Sequence, residues 1–407
     1  MQIEVDNVKG FKDFLPPESL KRESVQKIIE KYFKLYGFIP IETPVVEFDE
    51  LMKPDLLESE QEDEAISSRF KLKDRAGRNL GLRYEFTFQL ARILKQNLDI
   101  KLPLRRYQIG PVFRDEPISS DRYRQFVQCD IDIIGDSSVK ADTECLSCVS
   151  DILKELKIDC KIQINNKKLL ASIIESCEIS ETKKVMKELD KLERIGEDAI
   201  KTNLRVYADS NKILTLFKLM EKPLSFFEEN AFEGVFELID LEKECKKYNL
   251  KVEFNPFLAR GLEYYTGNIF EVKESGKSSI AGGGRYDKTV GKYLKREIPA
   301  VGISFGLERV CAIAKITPES IPKIMVISIE QEAESLKLIK NLRKFGISCI
   351  FSDNNVGKSL EYADAYSIPY VIFVGEEEIE KKKVKLKNMS SGKEEFLSEK
   401  QVLNRFS

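Results

Sequence analysis

Apolar positions in residues 19–36 recur at helical spacing. Val25, Ile28, Ile29, Tyr32, Phe33 and Tyr36 share one face, which predicts an amphipathic helix, and Gly37 punctuates its end. The run Phe38-Ile39-Pro40-Ile41-Glu42-Thr43-Pro44 then reads as extended, with Pro44 barring a central strand downstream. Residues 104–116 and 122–135 read as two strands joined by a polar turn, Pro117-Ile118-Ser119-Ser120-Asp121. The second strand alternates strictly. Arg124, Phe126, Gln128, Asp130 and Asp132 point to one face, while Val127, Cys129, Ile131 and Ile133 point to the other. A solvated face is the plain explanation of such a pattern in an isolated hairpin. The clusters described below favour a ligand-facing one.

Residues 166–250 carry long, charged, helical patterns without chemistry-like clusters, and read as a helical insertion. Glycine-rich strands and a closing helix return over residues 255–311. Thr317-Pro318 and Ile321-Pro322 mark a linker. Beyond it the rhythm becomes strand 324–329, helix 333–345, strand 347–351, helix 358–366, strand 370–374. That order predicts a small α/β domain with a largely parallel sheet, followed by a hairpin around Ser390-Ser391-Gly392. The predicted organisation is a core over residues 1–318, interrupted by the insertion, and a second domain over residues 322–407.

Composition narrows the choices. The 407 residues suit two or three domains, and 42% hydrophobic with 33% charged is a globular balance. No run of about 18 apolar residues occurs, so no membrane span is expected. Residues 1–14 lack a basic region leading into an apolar one, so a secretory signal is not expected and a cytoplasmic location follows. The net charge is -2, so any contact with nucleic acid must come from a local basic patch. The close pair Cys145 and Cys148 lacks the partners that a zinc site requires and reads as helix filler. The chain contains no histidine, which removes imidazole bases, Ser–His and Cys–His nucleophiles and His-ligated metals. Catalysis here must rest on positioning and fixed charge.

Four clusters carry candidate chemistry: Arg83-Tyr84-Glu85-Phe86-Thr87; Phe113-Arg114-Asp115-Glu116 with Arg122-Tyr123-Arg124-Gln125-Phe126-Val127-Gln128; Leu258-Ala259-Arg260-Gly261-Leu262-Glu263-Tyr264-Tyr265-Thr266-Gly267; and Ala281-Gly282-Gly283-Gly284-Arg285-Tyr286-Asp287 with Gly302-Ile303-Ser304-Phe305-Gly306-Leu307-Glu308-Arg309. Arginine forks match phosphate oxygens, glycines admit a substrate against the backbone, and an aromatic ring can stack on a base. The glycine spacing fits neither a P-loop nor a dinucleotide fingerprint. Together the clusters point to a nucleotide and a small polar substrate on an antiparallel sheet.

These clusters resemble the signature motifs of the histidyl-tRNA synthetase family. The opening Lys9-Gly10-Phe11-Lys12-Asp13-Phe14-Leu15-Pro16 resembles that family's first motif. The region of Pro44 resembles class II motif 1, the second cluster motif 2, and residues 302–309 motif 3. The Leu-Ala-Arg-Gly-Leu-Glu-Tyr-Tyr-Thr-Gly run and Gly-Gly-Gly-Arg-Tyr-Asp resemble the family's histidine-binding peptides. The resemblance implies an α+β catalytic core of the class II synthetase fold, an antiparallel sheet flanked by helices, with a C-terminal α/β anticodon-binding domain. It also implies a homodimer, and ATP with Mg²⁺, L-histidine and tRNA(His) as partners; no protein side chain is assigned to a metal.

Carried over by position, the resemblance assigns Arg114 and Arg122 to the ATP phosphates, Glu116 to the adenine amino group and Phe126 to stacking under adenine. Arg309 would cover the other face or hold the γ-phosphate. Glu85, Thr87 and Gln128 would grip the histidine ammonium, and Asp132 and Tyr265 the imidazole. Tyr264 sits beside them, more core residue than ligand. Arg260 would meet the carboxylate and α-phosphate and, with Arg114, carry the catalysis. Two departures stand out. The turn at residues 117–121 lacks the family's usual loop pattern, which bears on reading the 5′ end of the tRNA. Tyr84 stands where many members have proline. Neither departure is expected to alter the adenylation roles. The rival readings are a non-catalytic paralogue, a synthetase for another amino acid and a plain RNA-binding module. The paralogue typically lacks the C-terminal domain, the other synthetases lack the Arg-Gly-Leu-Glu-Tyr-Tyr run, and the RNA-binding module would not need the ATP constellation.

Overall fold

A computed structural model of the chain describes residues 5–52, 68–119, 122–260, 264–274 and 279–406. Ser120 and Asp121 of the polar turn, and Gly261, Leu262 and Glu263 of the arginine–tyrosine run, lie outside the described residues. In chain order the strands are β1 (Ile39–Pro40), β2 (Val46–Phe48), β3 (Lys71–Lys73), β4 (Asn79–Leu82), β5 (Leu104–Phe113), β6 (Gln125–Ile134), β7 (Cys160–Asn166), β8 (Glu253–Phe254), β9 (Asn268–Glu274), β10 (Ser279–Arg285), β11 (Ala300–Gly306), β12 (Ile324–Ser328), β13 (Cys349–Ser352), β14 (Tyr370–Val374), β15 (Val384–Asn388) and β16 (Glu394–Leu397). Two compact units result. One holds residues 25–316 with those preceding residue 15; the other holds residues 15–24 and those from 317 onward.

The first unit is built on an eight-stranded sheet in the order β1-β5-β6-β11-β10-β9-β7-β8. The strands from β5 to β7 in that order pair antiparallel, and short β1 and β8 add parallel edges. The alternation in β6 sets the layering. Cys129, Ile131 and Ile133 are buried in the main apolar core with Val25, Ile29 and Phe33 of the helix Glu18–Leu35. The helix Val139–Glu155 packs into the same core and buries Cys145 and Cys148 as apolar filler. Burying one stripe of each helix against one face of the sheet is the usual solution for a two-layer core. The opposite face of β6 is left for polar residues. A small sheet in the order β2-β4-β3 stands apart.

The insertion is helical. Helices lie between Lys167–Ser176 and Val235–Lys247, and Ile173, Leu216, Phe227 and Leu238 bury in the shared core. The second unit has the five-stranded order β13-β12-β14-β15-β16, parallel through β13, β12 and β14 and antiparallel beyond. Alternate residues of β12 feed two apolar layers, with Ile324 and Val326 on one face and Met325 and Ile327 on the other. Both faces of a parallel strand are covered in this way, which explains its unbroken apolar run. No helix among the described residues is long and apolar enough to cross a membrane.

Candidate active site

The polar face of β6 lines a cleft of about 430 Å³ in the first unit. Phe126, Gln128, Asp130 and Asp132 reach it from β6, and Arg114, Glu116 and Arg122 from the hairpin that precedes it. Glu85 and Thr87, Arg260, Tyr264 and Tyr265, residues 279–283 and Arg309 complete the wall. Every residue assigned above to nucleotide or amino acid therefore faces one cleft, although the clusters are far apart in sequence.

Cross-strand register explains the shape. Asp132, Asp130 and Gln128 lie directly opposite Gly302, Ser304 and Gly306 of β11. A side chain at 302 would collide with the Asp132 carboxylate. On the other flank, Asp132 lies opposite Arg106 of β5. The guanidinium of Arg106 is fully buried and pairs with Asp132 Oδ2 at 2.6 Å. The Tyr286 hydroxyl donates to Asp132 Oδ1. Burial pushes the Asp132 carboxyl above its usual range, while Arg106 and then Tyr286 pull it back.

Asp130 is the second buried carboxyl. The Ser304 hydroxyl donates to it, and Ser304 in turn accepts from the Gln128 amide at 3.1 Å. Burial drives Asp130 up to about 8 against the opposing pull of Arg106. Glu85 is buried as well. It accepts from the backbone N–H of Thr87 at 2.6 Å and of Phe88 at 2.7 Å, so it caps the first turn of the helix Phe88–Gln96. Its carboxyl is raised by burial and lowered by these bonds. Tyr265 is raised to about 12, chiefly by burial.

The cations are more exposed. Arg114 stacks its guanidinium 4.2 Å from the Tyr84 ring centre and 5.0 Å from that of Phe126. Arg122 pairs with Glu116, which also accepts from the Tyr84 hydroxyl at 2.9 Å. Tyr84 thus touches both Arg114 and Glu116. Arg260 donates to Glu271 at 2.9 Å and to the Ser279 hydroxyl, and Arg309 donates to the Ser279 carbonyl at 2.9 Å. Glu308 accepts from the Val127 N–H at 3.1 and 3.2 Å. Tyr264 makes ring contacts with Phe88, Tyr265 and Tyr286 in a small apolar cluster, while one edge borders the cleft.

Sequence reasoning gave no role to Arg106, Asp130, Ser304 or Tyr286. Asp130 stood on the alternating face of β6, and Tyr286 and Ser304 lay within the fourth cluster, but Arg106 left no signal. Their partners come from segments that meet only in the folded sheet.

The model of the histidyl-tRNA synthetase family matches residues 10–310, and that of the anticodon-binding domain matches residues 323–407. A histidine–tRNA ligase of Bacillus cereus is 36% identical over 96% of this chain and 95% of its own. One from Shouchella clausii is 34% identical, covering 96% of this chain and 97% of its own. The crystal structure of histidyl-tRNA synthetase from Nostoc superimposes with a TM-score of 0.87 at 27% identity, covering 100% of this chain and 99% of that one. With the cleft, the sheet register and both family models in agreement along nearly its whole length, the chain belongs to the histidyl-tRNA synthetase family.

Proposed function

We propose that the chain activates L-histidine with ATP to histidyl-adenylate and pyrophosphate and then transfers histidine to the 3′ end of tRNA(His). The carrying observation is the convergence in one cleft of buried carboxyls Asp132, Asp130 and Glu85 with the half-exposed arginines Arg114, Arg260 and Arg309. The carboxyls suit an ammonium and an imidazole N–H, and the arginines suit a triphosphate.

In the first step a histidine carboxylate oxygen attacks the α-phosphorus. The new O–P bond forms as the bond to the β-phosphate bridging oxygen breaks, and pyrophosphate leaves. The nucleophile is already anionic, so no general base is needed. What the protein must supply is alignment and offset of charge on the phosphoryl oxygens. Arg260 and Arg114 do this at the α-phosphate, with Arg122 and Arg309 on the rest of the chain of phosphates. Glu116 accepts from the adenine amino group and Phe126 stacks on the ring. Glu85, Thr87 and Gln128 hold the ammonium, and Asp132 and Tyr265 the imidazole. A site built around such partners rejects apolar amino acids without editing, because they would leave buried polar atoms such as Gln128 Oε1 without a partner.

Mg²⁺ supplies further charge neutralisation at the phosphates. It commonly binds through one or two carboxylates and substrate phosphates instead of an all-protein cage. Glu308 is a carboxylate lining the cleft beside Arg309 and would share the ion with the phosphates. Residues 322–407 would receive the tRNA anticodon. The resemblance of the Pro44 region to motif 1 supports a homodimer.

ATP–pyrophosphate exchange tested with each of the twenty amino acids decides the reading. Exchange with histidine alone is the expected result. Absence of exchange from folded protein that still binds histidine would transfer the chain to the non-catalytic paralogues.

A further inference from the structure

Arg106 has no place in the chemistry above, yet it is the largest fully buried side chain among the described residues. It sits on β5 directly opposite Asp132. Its guanidinium lies 2.6 Å from Asp132 Oδ2 and donates to the Phe86 carbonyl at 3.4 Å, next to Glu85 in sequence. Asp130 and Glu85 feel the same cation. One buried positive charge therefore serves three buried carboxyls of the amino-acid end of the cleft. A buried cation of this kind is costly to desolvate and persists only where its partners return that cost.

The geometry points to Arg106 as a positioning residue for substrate selection: paired from behind to Asp132, and assisted by the Tyr286 hydroxyl, it favours the anionic form of that carboxylate and keeps it turned toward the cleft. This rests on the histidine-activating reading. The groups facing Asp132 are Arg106 from β5, Tyr286 from the segment after β10, and Asp130 from β6 itself, while Gly302 of β11 contributes only space. Ordinary structural packing would require a cation of that size nowhere near a ligand. Its direct pairing with a cleft-lining carboxylate is what a specificity role requires.

The test is pyrophosphate exchange by the full chain across a pH series, with Arg106→Met, Arg106→Lys and Tyr286→Phe beside the unmodified protein. For Arg106→Met the KM for histidine is expected to rise about tenfold or more at neutral pH, as befits loss of a buried charge partner, while the KM for ATP stays within about twofold. The acid limb of the histidine KM profile is expected to move to higher pH, since the carboxyl protonates more readily without its cation. Arg106→Lys retains the charge and is expected to leave that limb in place. Tyr286→Phe, which removes one hydroxyl, is expected to move the limb in the same direction but less, and it keeps the question answerable if Arg106→Met fails to fold. Parallel loss of histidine and ATP affinity, or an unmoved acid limb in both Arg106→Met and Tyr286→Phe, would overturn the role. Lack of histidine-dependent exchange in the unmodified chain would instead overturn the ligase reading itself.

Discussion

Gly282 makes room for Arg260: a Cβ built on Gly282 would fall inside the guanidinium of Arg260, overlapping Nη1. The arginine lies flat across β10 because that strand carries no side chain at this point, and Glu271 and Ser279 fix its two ends. Gly282→Ala is therefore expected to act as a catalytic mutation. It should lower the single-turnover rate of adenylate formation toward that of Arg260→Ala, whose own loss is expected to be about 3 kcal/mol, the scale of a missing oxyanion donor. A Gly282→Ala protein with normal single-turnover rates would show that Arg260 can act from elsewhere.

Asp132 and Gly302 are coupled in the same steric sense. Asp132→Ala is expected to raise the KM for histidine far more than that for ATP, and Gly302→Ala should follow it by pushing the carboxylate aside. Isothermal titration with each ligand separately checks the split. Equal losses for both ligands would remove Asp132 from the histidine side of the cleft.

Tyr84 supports Arg114 with its ring and Glu116 with its hydroxyl. Tyr84→Phe should retain the first and lose the second. A hydrogen bond to a charged carboxylate is worth about 1.5 kcal/mol, so the KM for ATP should rise by about tenfold with little change for histidine. Initial-rate kinetics with varied ATP suffice. An unchanged KM would mean that Arg122 alone keeps Glu116 in place.

Asp130 gives a pH dependence of stability. Its folded-state value, about 8, lies above the ordinary 3.8, because burial disfavours the ionised form. Between those values the native chain keeps a proton that the unfolded chain has lost. Stability from this group is thus fullest below the ordinary value and falls as pH rises toward about 8. Asp130→Asn removes that slope. The Tm difference between Asp130→Asn and the parent should grow in favour of the variant from pH 5 to pH 8, measured without ligand. A constant difference would argue that Asp130 is ionised throughout.

The alternation along β6 exposed much of this in advance. Phe126, Gln128, Asp130 and Asp132 could be assigned to one face from spacing alone, and the apolar partners to the other, because strand periodicity is local. The α/β order of the second unit was legible for the same reason. What lay beyond reach depends on pairing between distant segments. Ser304 meets Asp130 across 174 residues of chain, and Tyr286 meets Asp132 across 154. Nothing near either residue in sequence announces the partner. The sheet β2-β4-β3 escaped because its strands are three or four residues long, too short to show a period. The contacts of Tyr84 with Arg114 and Glu116 were equally out of reach, because they form between separate segments.

The pairing of β6 with β11 separates two kinds of information. On the proposed reading, β6 supplies the carboxyls and amide that name the substrate, while Gly302, Ser304 and Gly306 of β11 determine how much volume is left for it. Chemical identity and molecular size are thus encoded on different strands and are open to independent redesign. Widening or narrowing the chamber is a matter for β11, and exchanging the functional group it accepts is a matter for β6.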